Sequence, residues 1–309
     1  MKTILVTGCA GFIGSNLCFK LLERSQVIGV DNFISGQRKN VNNLKKNPRF
    51  GFISQDITKP LKISEHLDEI WNLACPASPV DFPQYPIEIL MTGSMGVKNV
   101  LNLALKNKAK FLHTSTSEIY GEPQEHPQKE TYWGNVNPIG ARSCYYESKR
   151  FAESLIENYR KKYKLDTKIV RIFNTYGPRM RVDDGRVVSN FITQALEGEN
   201  LTVYGKGLQT RSFCFVSDMI EGLIKMMKSR QHGPINLGNP DEYTILKLAK
   251  KIIQLTQSKS KIVFLFLPKD DPTKRKPDIT LAKKTLGWEP KVGLKKGLLE
   301  TISYFKEVL

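Results

Sequence analysis

The chain has 309 residues, 40% apolar and 25% charged, the balance of an ordinary globular protein with one large domain or two small ones. That composition excludes disordered, collagen-like and coiled-coil chains. Its 47 Lys and Arg stand against 30 Asp and Glu, a formal net charge of +17, which raises nucleic acid, an anionic membrane surface or an anionic small molecule as partner.

In chain order, an apolar run at 3–7 predicts a buried strand, and 14–24 carries Leu17, Leu21 and Leu22 at helical spacing. Further strands are expected at 26–30, just before Asp31, and at 50–54, 69–73, 110–114 and 167–172, with helices at 90–105 and 144–163. Strands alternating with helices predict an α/β fold, a Rossmann-like doubly wound parallel sheet covered on both faces. Beyond 175, Gly and Pro become frequent and helical pieces fall at 190–196, 218–227, 244–256 and 294–307. A nucleotide-binding domain at 1–175 is therefore expected, followed by a smaller α/β substrate-binding lobe at 176–309, with the chain free to cross back between them. The N-terminus opens directly on a strand and no window is apolar enough to span a membrane, which predicts a soluble, cytoplasmic protein. Five scattered cysteines without a CxxC pair, and four histidines without ligand spacing, predict reduced thiols and no metal site.

Between the first strand and the first helix, Gly8, Gly11 and Gly14 form GxxGxxG, with Phe12 and Ile13 between the last two. Glycine there permits a tight turn, close backbone approach to a ligand and close helix–sheet packing, and the free N–H groups face a pyrophosphate. Asp31 ends the second strand 20 residues after Gly11, where a carboxylate binds an adenosine ribose. A carboxylate repels a 2′-phosphate, and Asn32 rather than a basic residue follows, so NAD is expected; Arg38 and Lys39 stand close enough to leave NADP open. Asp56 and Ile57 follow the third strand and would meet the adenine, although a polar strand end explains Asp56 as well.

Thr116 lies at the end of the fifth strand, and Tyr145 and Lys149 share one helix face at i, i+4. An ammonium near a phenol depresses its pKa and makes a general base for an alcohol that loses hydride. Tyr146 has Arg150 rather than lysine four residues on, and so is not the expected base.

The segments 7–14, 115–121 and 145–149 resemble the extended short-chain dehydrogenase/reductase superfamily. Those at 76–79, 132–140, 171–180, 184–191, 209–213, 236–240 and 270–279 are similar to its UDP-glucuronate decarboxylase (UDP-xylose synthase) family. Related 4,6-dehydratases carry Thr-Asp-Glu where this chain has Thr116-Ser117-Glu118, which matches the decarboxylases. The resemblance implies an enzyme that oxidises C4 of UDP-glucuronate with NAD, loses CO2 from the 4-keto acid and re-reduces C4 to give UDP-xylose. It implies Glu118 and Arg275 near C5, and Pro79, Asn174, Arg179, Arg186, Tyr204 and Arg211 around the UDP-sugar. It also implies a homodimer built from the helices around 88–106 and 143–163 as a four-helix bundle. The open alternatives are a nucleotide-sugar epimerase, a 4,6-dehydratase, or a decarboxylase that releases the UDP-4-keto-pentose. No nucleic-acid motif is present and the positive charge is dispersed, so neither nucleic acid nor a membrane is expected as partner.

Overall fold

The computed structural model describes residues 1–266 and 272–309. Seven strands form the main sheet: β1 (Thr3–Thr7), β2 (Gln26–Asp31), β3 (Phe50–Ser54), β4 (Glu69–Asn72), β5 (Lys110–Thr116), β6 (Thr167–Ile172) and, after the short β7 (Thr175–Tyr176), β8 (Leu201–Tyr204), β9 (Thr210–Ser212) and β10 (Cys214–Phe215), the late strand β11 (Ile235–Leu237). Their order is β11-β6-β5-β4-β1-β2-β3, and all neighbours are parallel. Alternate residues of each strand enter two separate cores. Ile4, Val6, Leu112 and Val170 pack on one face, Leu5, Phe111 and Ile169 on the other. Burial on both faces explains why these strands read as unbroken apolar runs.

On the first face lie α1 (Phe12–Leu21) and α2 (Arg38–Leu44). On the second lies a long helical stretch composed of α3 (Pro86–Met91), a π-turn at Thr92–Gly96, and α4 (Val97–Asn107), beside α5 (Ser143–Tyr163). The predicted helix at 90–105 is thus longer and broken in register by the π-turn. Gly93 lies within it: a Cβ there would stand 2.5 Å from the Ser148 Cβ, so α5 can approach only against a bare backbone. The short helix α2 and strand β11 were not expected from the sequence, since neither has a periodic run long enough to register.

The remaining elements are α6 (Val187–Glu197), α7 (Val216–Lys228), α8 (Ile245–Thr256), α9 (Thr280–Leu286) and α10 (Leu294–Val308), with strands β12 (Glu242–Thr244), β13 (Ile262–Leu265) and β14 (Lys274–Arg275). They build three small sheets, β10-β7, β12-β9-β14 and β13-β8. α7 packs on the first face of the main sheet. Asp270 and Asp271, in the family-like segment 270–279, lie outside the described residues. No helix among the described residues is long and apolar enough to cross a membrane.

A buried polar network locks β5, β6 and α5 together. Arg171 donates from Nε and Nη2 to both oxygens of Glu153, at 3.0 and 2.8 Å, and from Nη1 to the Tyr120 hydroxyl at 3.0 Å. Ser115 donates to the same Glu153 at 2.6 Å, and Tyr120 to Asn236 of β11 at 2.8 Å. Removing one member of a buried ion pair strands the other. Glu153→Ala is therefore expected to cost about 3–5 kcal/mol of stability, measured by urea denaturation against the unaltered chain.

Candidate active site

The order of the sheet reverses at β1, which has β4 on one side and β2 on the other. A crevice opens there beyond the carboxyl ends of the strands, as in other doubly wound sheets. A cavity of about 700 Å³ fills it, lined from the first strand's loop by Gly8, Gly11, Phe12, Ile13 and Gly14. Gly8 has φ +74°, and a Cβ on it would lie 2.8 Å from the backbone of Ala74. A Cβ on Gly14 would fall on the Gly8 carbonyl. The loop therefore offers bare backbone to whatever enters.

Asp31 is buried, and its two oxygens accept from the Ala10 N–H at 2.9 Å and the Phe33 N–H at 2.8 Å. Burial raises its pKa, opposed by these backbone hydrogen bonds and one from Asn32. The carboxylate thus braces the glycine loop. Asn32 donates to Asp56 at 3.1 Å, Asp56 accepts from the Thr58 N–H at 2.8 Å, and Ile57 is buried in the second core. Asp31, Asn32, Asp56 and Ile57 lie outside the cavity wall.

Thr116, Tyr145 and Lys149 are all buried and all line the cavity. The strand end presents Thr116, and the first turns of α5 present Tyr145 and Lys149. Lys149 donates to the Thr114 carbonyl at 2.8 Å and stands 5.9 Å from the centre of the Tyr145 ring. That ring stacks on Phe82 at 5.0 Å. Burial raises the Tyr145 pKa, with Cys75 adding to it, while a hydrogen bond with Thr116 and the charge of Arg186 pull it down. Burial also lowers the Lys149 pKa, against Cys75 and Glu153. Desolvation is the largest influence on both groups.

Glu118 sits on the 3-10 turn Ser117–Tyr120 that follows β5. Its Oε2 lies 3.5 Å from Arg142 and 3.7 Å from Arg275. Burial raises its pKa, but Arg275, Arg142 and Arg211 together hold it below the ordinary 4.5. Glu118 lines the cavity, whereas Arg275 lies behind it, 1% exposed, donating to the carbonyls of Ser117 and Gly121. Arg275 thus clamps the turn that carries Glu118 and stands 3.7 Å from its carboxylate.

Pro79, Asn174, Arg186, Tyr204 and Arg211 line the same cavity. Arg186 is held by Asp184 at 3.1 Å and by the Ala77 carbonyl at 2.7 Å. Arg179 does not line it: the guanidinium stacks on Phe19 at 4.2 Å and donates to Asn16 at 2.6 Å. The sequence reading missed Arg142, Phe82 and Arg181, which all line the cavity. Arg181 pairs with Asp81 at 3.0 Å. Arg142 stands three residues before Tyr145, a spacing that could have drawn attention to it. Nothing local signals a pair between residues 81 and 181.

The GDP-mannose 4,6 dehydratase family matches residues 5–301. UDP-glucuronic acid decarboxylase 4 of Arabidopsis thaliana is 53% identical over 98% of this chain and 68% of its own length. UDP-glucuronic acid decarboxylase 1 of Xenopus tropicalis is 50% identical over 100% of this chain and 73% of its own. Among solved structures, the UDP-glucuronic acid 4-epimerase of Bacillus cereus, in complex with UDP-glucuronic acid and NAD, superposes with a TM-score of 0.89 at 31% identity, covering 99% of this chain and 100% of that one. The UDP-glucose 4-epimerase of Thermotoga maritima superposes with a TM-score of 0.90 at 30% identity, covering 99% of both chains.

The cations around Glu118 make a pH prediction. Because its folded pKa lies below its ordinary value, its stabilising contribution is full above the unfolded pKa and disappears as pH falls through the folded one. The stability difference between the unaltered chain and Glu118→Gln should be present at neutral pH and shrink below about pH 4, read from denaturation curves across pH.

Proposed function

This chain belongs to the GDP-mannose 4,6 dehydratase family of extended short-chain dehydrogenases/reductases, and on that premise we propose that it decarboxylates UDP-glucuronate to UDP-xylose and CO2 with NAD. The observation that carries the reading is the Thr116-Ser117-Glu118 turn set against Tyr145 in one cavity, with no carboxylic acid at Ser117 to expel a C6 hydroxyl. Names of relatives at 50–53% identity support it.

A uronic acid holds its CO2 because the electrons left at C5 have nowhere to go. A ketone at C4 makes a β-keto acid, whose electrons pass into an enolate. The bare Gly8–Gly14 backbone fits a dinucleotide pyrophosphate, and Asp31 at the end of β2 stands where the adenosine ribose would lie. When bound, the nicotinamide supplies the hydride acceptor and donor for C4. In this reading Tyr145 takes the proton from the C4 hydroxyl, with Thr116 hydrogen-bonded to its phenol. Lys149, anchored on Thr114, places positive charge beside the phenol. Once CO2 leaves, the protonated Tyr145 hydrogen-bonds the enolate oxygen, C5 takes a proton from solvent, and Tyr145 returns its proton to the C4 oxygen as C4 is reduced. Glu118 stays ionised and orders the C5 side of the ring, with Arg275 holding its turn. Pro79, Asn174, Arg186, Tyr204 and Arg211 form the wall for the UDP-sugar, and arginine suits its phosphates because its fork is bidentate.

Residues 1–175 are read as the NAD domain and 176–309 as the sugar-nucleotide lobe, with β11 crossing back into the main sheet. The five cysteines are unpaired, which fits a cytosolic protein. A homodimer is proposed through α3, α4 and α5, where Ile87, Leu90 and Met91 follow helical spacing on α3 and are exposed, as is Phe151 on α5. Light scattering should find a dimer and, for Phe151→Asp, a shift toward monomer; an unaltered dimer would place the interface elsewhere.

Incubation with UDP-glucuronate and NAD should yield CO2 and UDP-xylose. Recovery of UDP-galacturonate without CO2 would show an epimerase, and accumulation of the UDP-4-keto-pentose a decarboxylase that stops before re-reduction. Tyr145→Phe should lower turnover by about 10²–10⁴-fold while NAD binding is retained, and undiminished turnover would refute its role.

A further inference from the structure

A reaction that takes hydride from C4 and later gives it back needs the hydride carrier to stay in place between the two steps. If the carrier left after CO2, the products would be UDP-4-keto-pentose and NADH, and C4 would remain a ketone. The glycine loop alone presents one wall to a dinucleotide. A second element of the chain is tied down around that wall.

Residues 178–186 connect the short strand β7 to α6 and are hydrogen-bonded to three separate parts of the first half of the chain. On α1, Asn16 donates to the Pro178 carbonyl at 3.1 Å and accepts from Arg179 at 2.6 Å. In the loop after β2, Gln37 donates to the Arg179 carbonyl at 3.1 Å. In the loop after β4, Ser78 donates to the Asp184 carbonyl, and the Ala77 carbonyl accepts from Arg186 at 2.7 Å. Arg181 ties two of these parts at once. Its Nη1 donates to the Ser35 carbonyl at 3.3 Å, and its Nη2 to Asp81 at 3.0 Å. Arg181, Ser35, Gln37 and Asp81 all line the cavity that Gly11 and Ile13 line. The segment therefore bridges the wall that carries the glycine loop and the wall that carries Phe82.

Of these ties, Arg181 with Asp81 is the one between two opposite charges. Asp81 is 3% exposed and the Arg181 side chain 19%, so solvent and salt screen the pair little. Parting the two walls would leave a buried carboxylate without its cation, a large penalty. We propose that the Arg181–Asp81 pair latches residues 178–186 across the crevice and retains the dinucleotide between oxidation of C4 and its re-reduction. Arg181 is thereby a positioning residue, and the latch decides whether UDP-xylose or UDP-4-keto-pentose leaves. The proposal deepens the decarboxylase reading of the site and rests on it.

Two readouts test it. One is the rate at which radiolabelled NAD leaves the loaded enzyme under an unlabelled chase, with no substrate present. The other is the share of turnovers that end as UDP-4-keto-pentose and NADH. Arg181→Met is expected to speed NAD release roughly 10- to 100-fold, the contribution of a hydrogen bond to a charged group, and to raise the keto-pentose share. Asp81→Asn should act the same way, and the double variant should fall well short of the product of the two single effects, because both remove one interaction. Arg181→Lys keeps the charge without the fork and should recover part of the loss. An unchanged release rate in Arg181→Met would overturn the proposal, and so would fully independent effects in the double variant. Should Arg181→Met fail to fold, Asp81→Asn and Arg181→Lys decide by the same release rate. Failure of the decarboxylase reading shows separately, as an unaltered enzyme that releases no CO2 from UDP-glucuronate.

Discussion

The site depends on holding the start of α5 over the end of β5. Tyr145 belongs to a helix and Thr116 to a strand, and they meet only if the two elements keep one relative position. Three contacts fix it. Lys149 reaches the Thr114 carbonyl, Ser115 reaches Glu153 four residues further along α5, and Glu153 is clamped by Arg171 on the next strand. The π-turn and Gly93 then let the neighbouring helix close on α5 from outside. Lys149, Ser115 and Arg171 are buried and Glu153 is largely so, and a small slip would strand a charge or a carbonyl in an apolar medium. That penalty is what makes the geometry stiff.

The same economy of partners governs the cavity. Asp31 spends both oxygens on the backbone of the loop it supports, Arg275 on the turn that bears Glu118, and Arg186 on Asp184 and Ala77. Residues chosen for their charge thus serve first to shape the wall. The excess of positive charge in the composition finds one local expression here, as three guanidinium groups that act on the Glu118 carboxylate. An anionic small molecule is the partner that such a wall suits, among the three that the net charge first raised.

Much of the site was legible because its chemistry depends on short spacings. The glycines of the first loop are close in sequence since together they shape one turn, and Tyr145 and Lys149 are four apart since one helix face must carry both. The strands were legible because burial on both faces leaves unbroken apolar runs. Strand β11 was not, being three residues long, and neither was the break in the helix at Thr92–Gly96, which answers to Ser148 on another element. Arg179 and Arg275 were assigned from segments that look alike in related chains, yet one stacks on Phe19 and the other clamps a turn.

The sequence by itself determined the alternation of strands and helices, the bare-backbone loop, and the identity of the threonine, tyrosine and lysine, because these are set by local periodicity and by residue type. Only the tertiary structure decided which arginines face the cavity, that Asp81 meets Arg181, that Phe82 stacks on Tyr145, and that Tyr145 and Lys149 are both buried. Those facts depend on which surfaces are brought together and how far water is excluded between them, and neither is written in the spacing of residues along the chain.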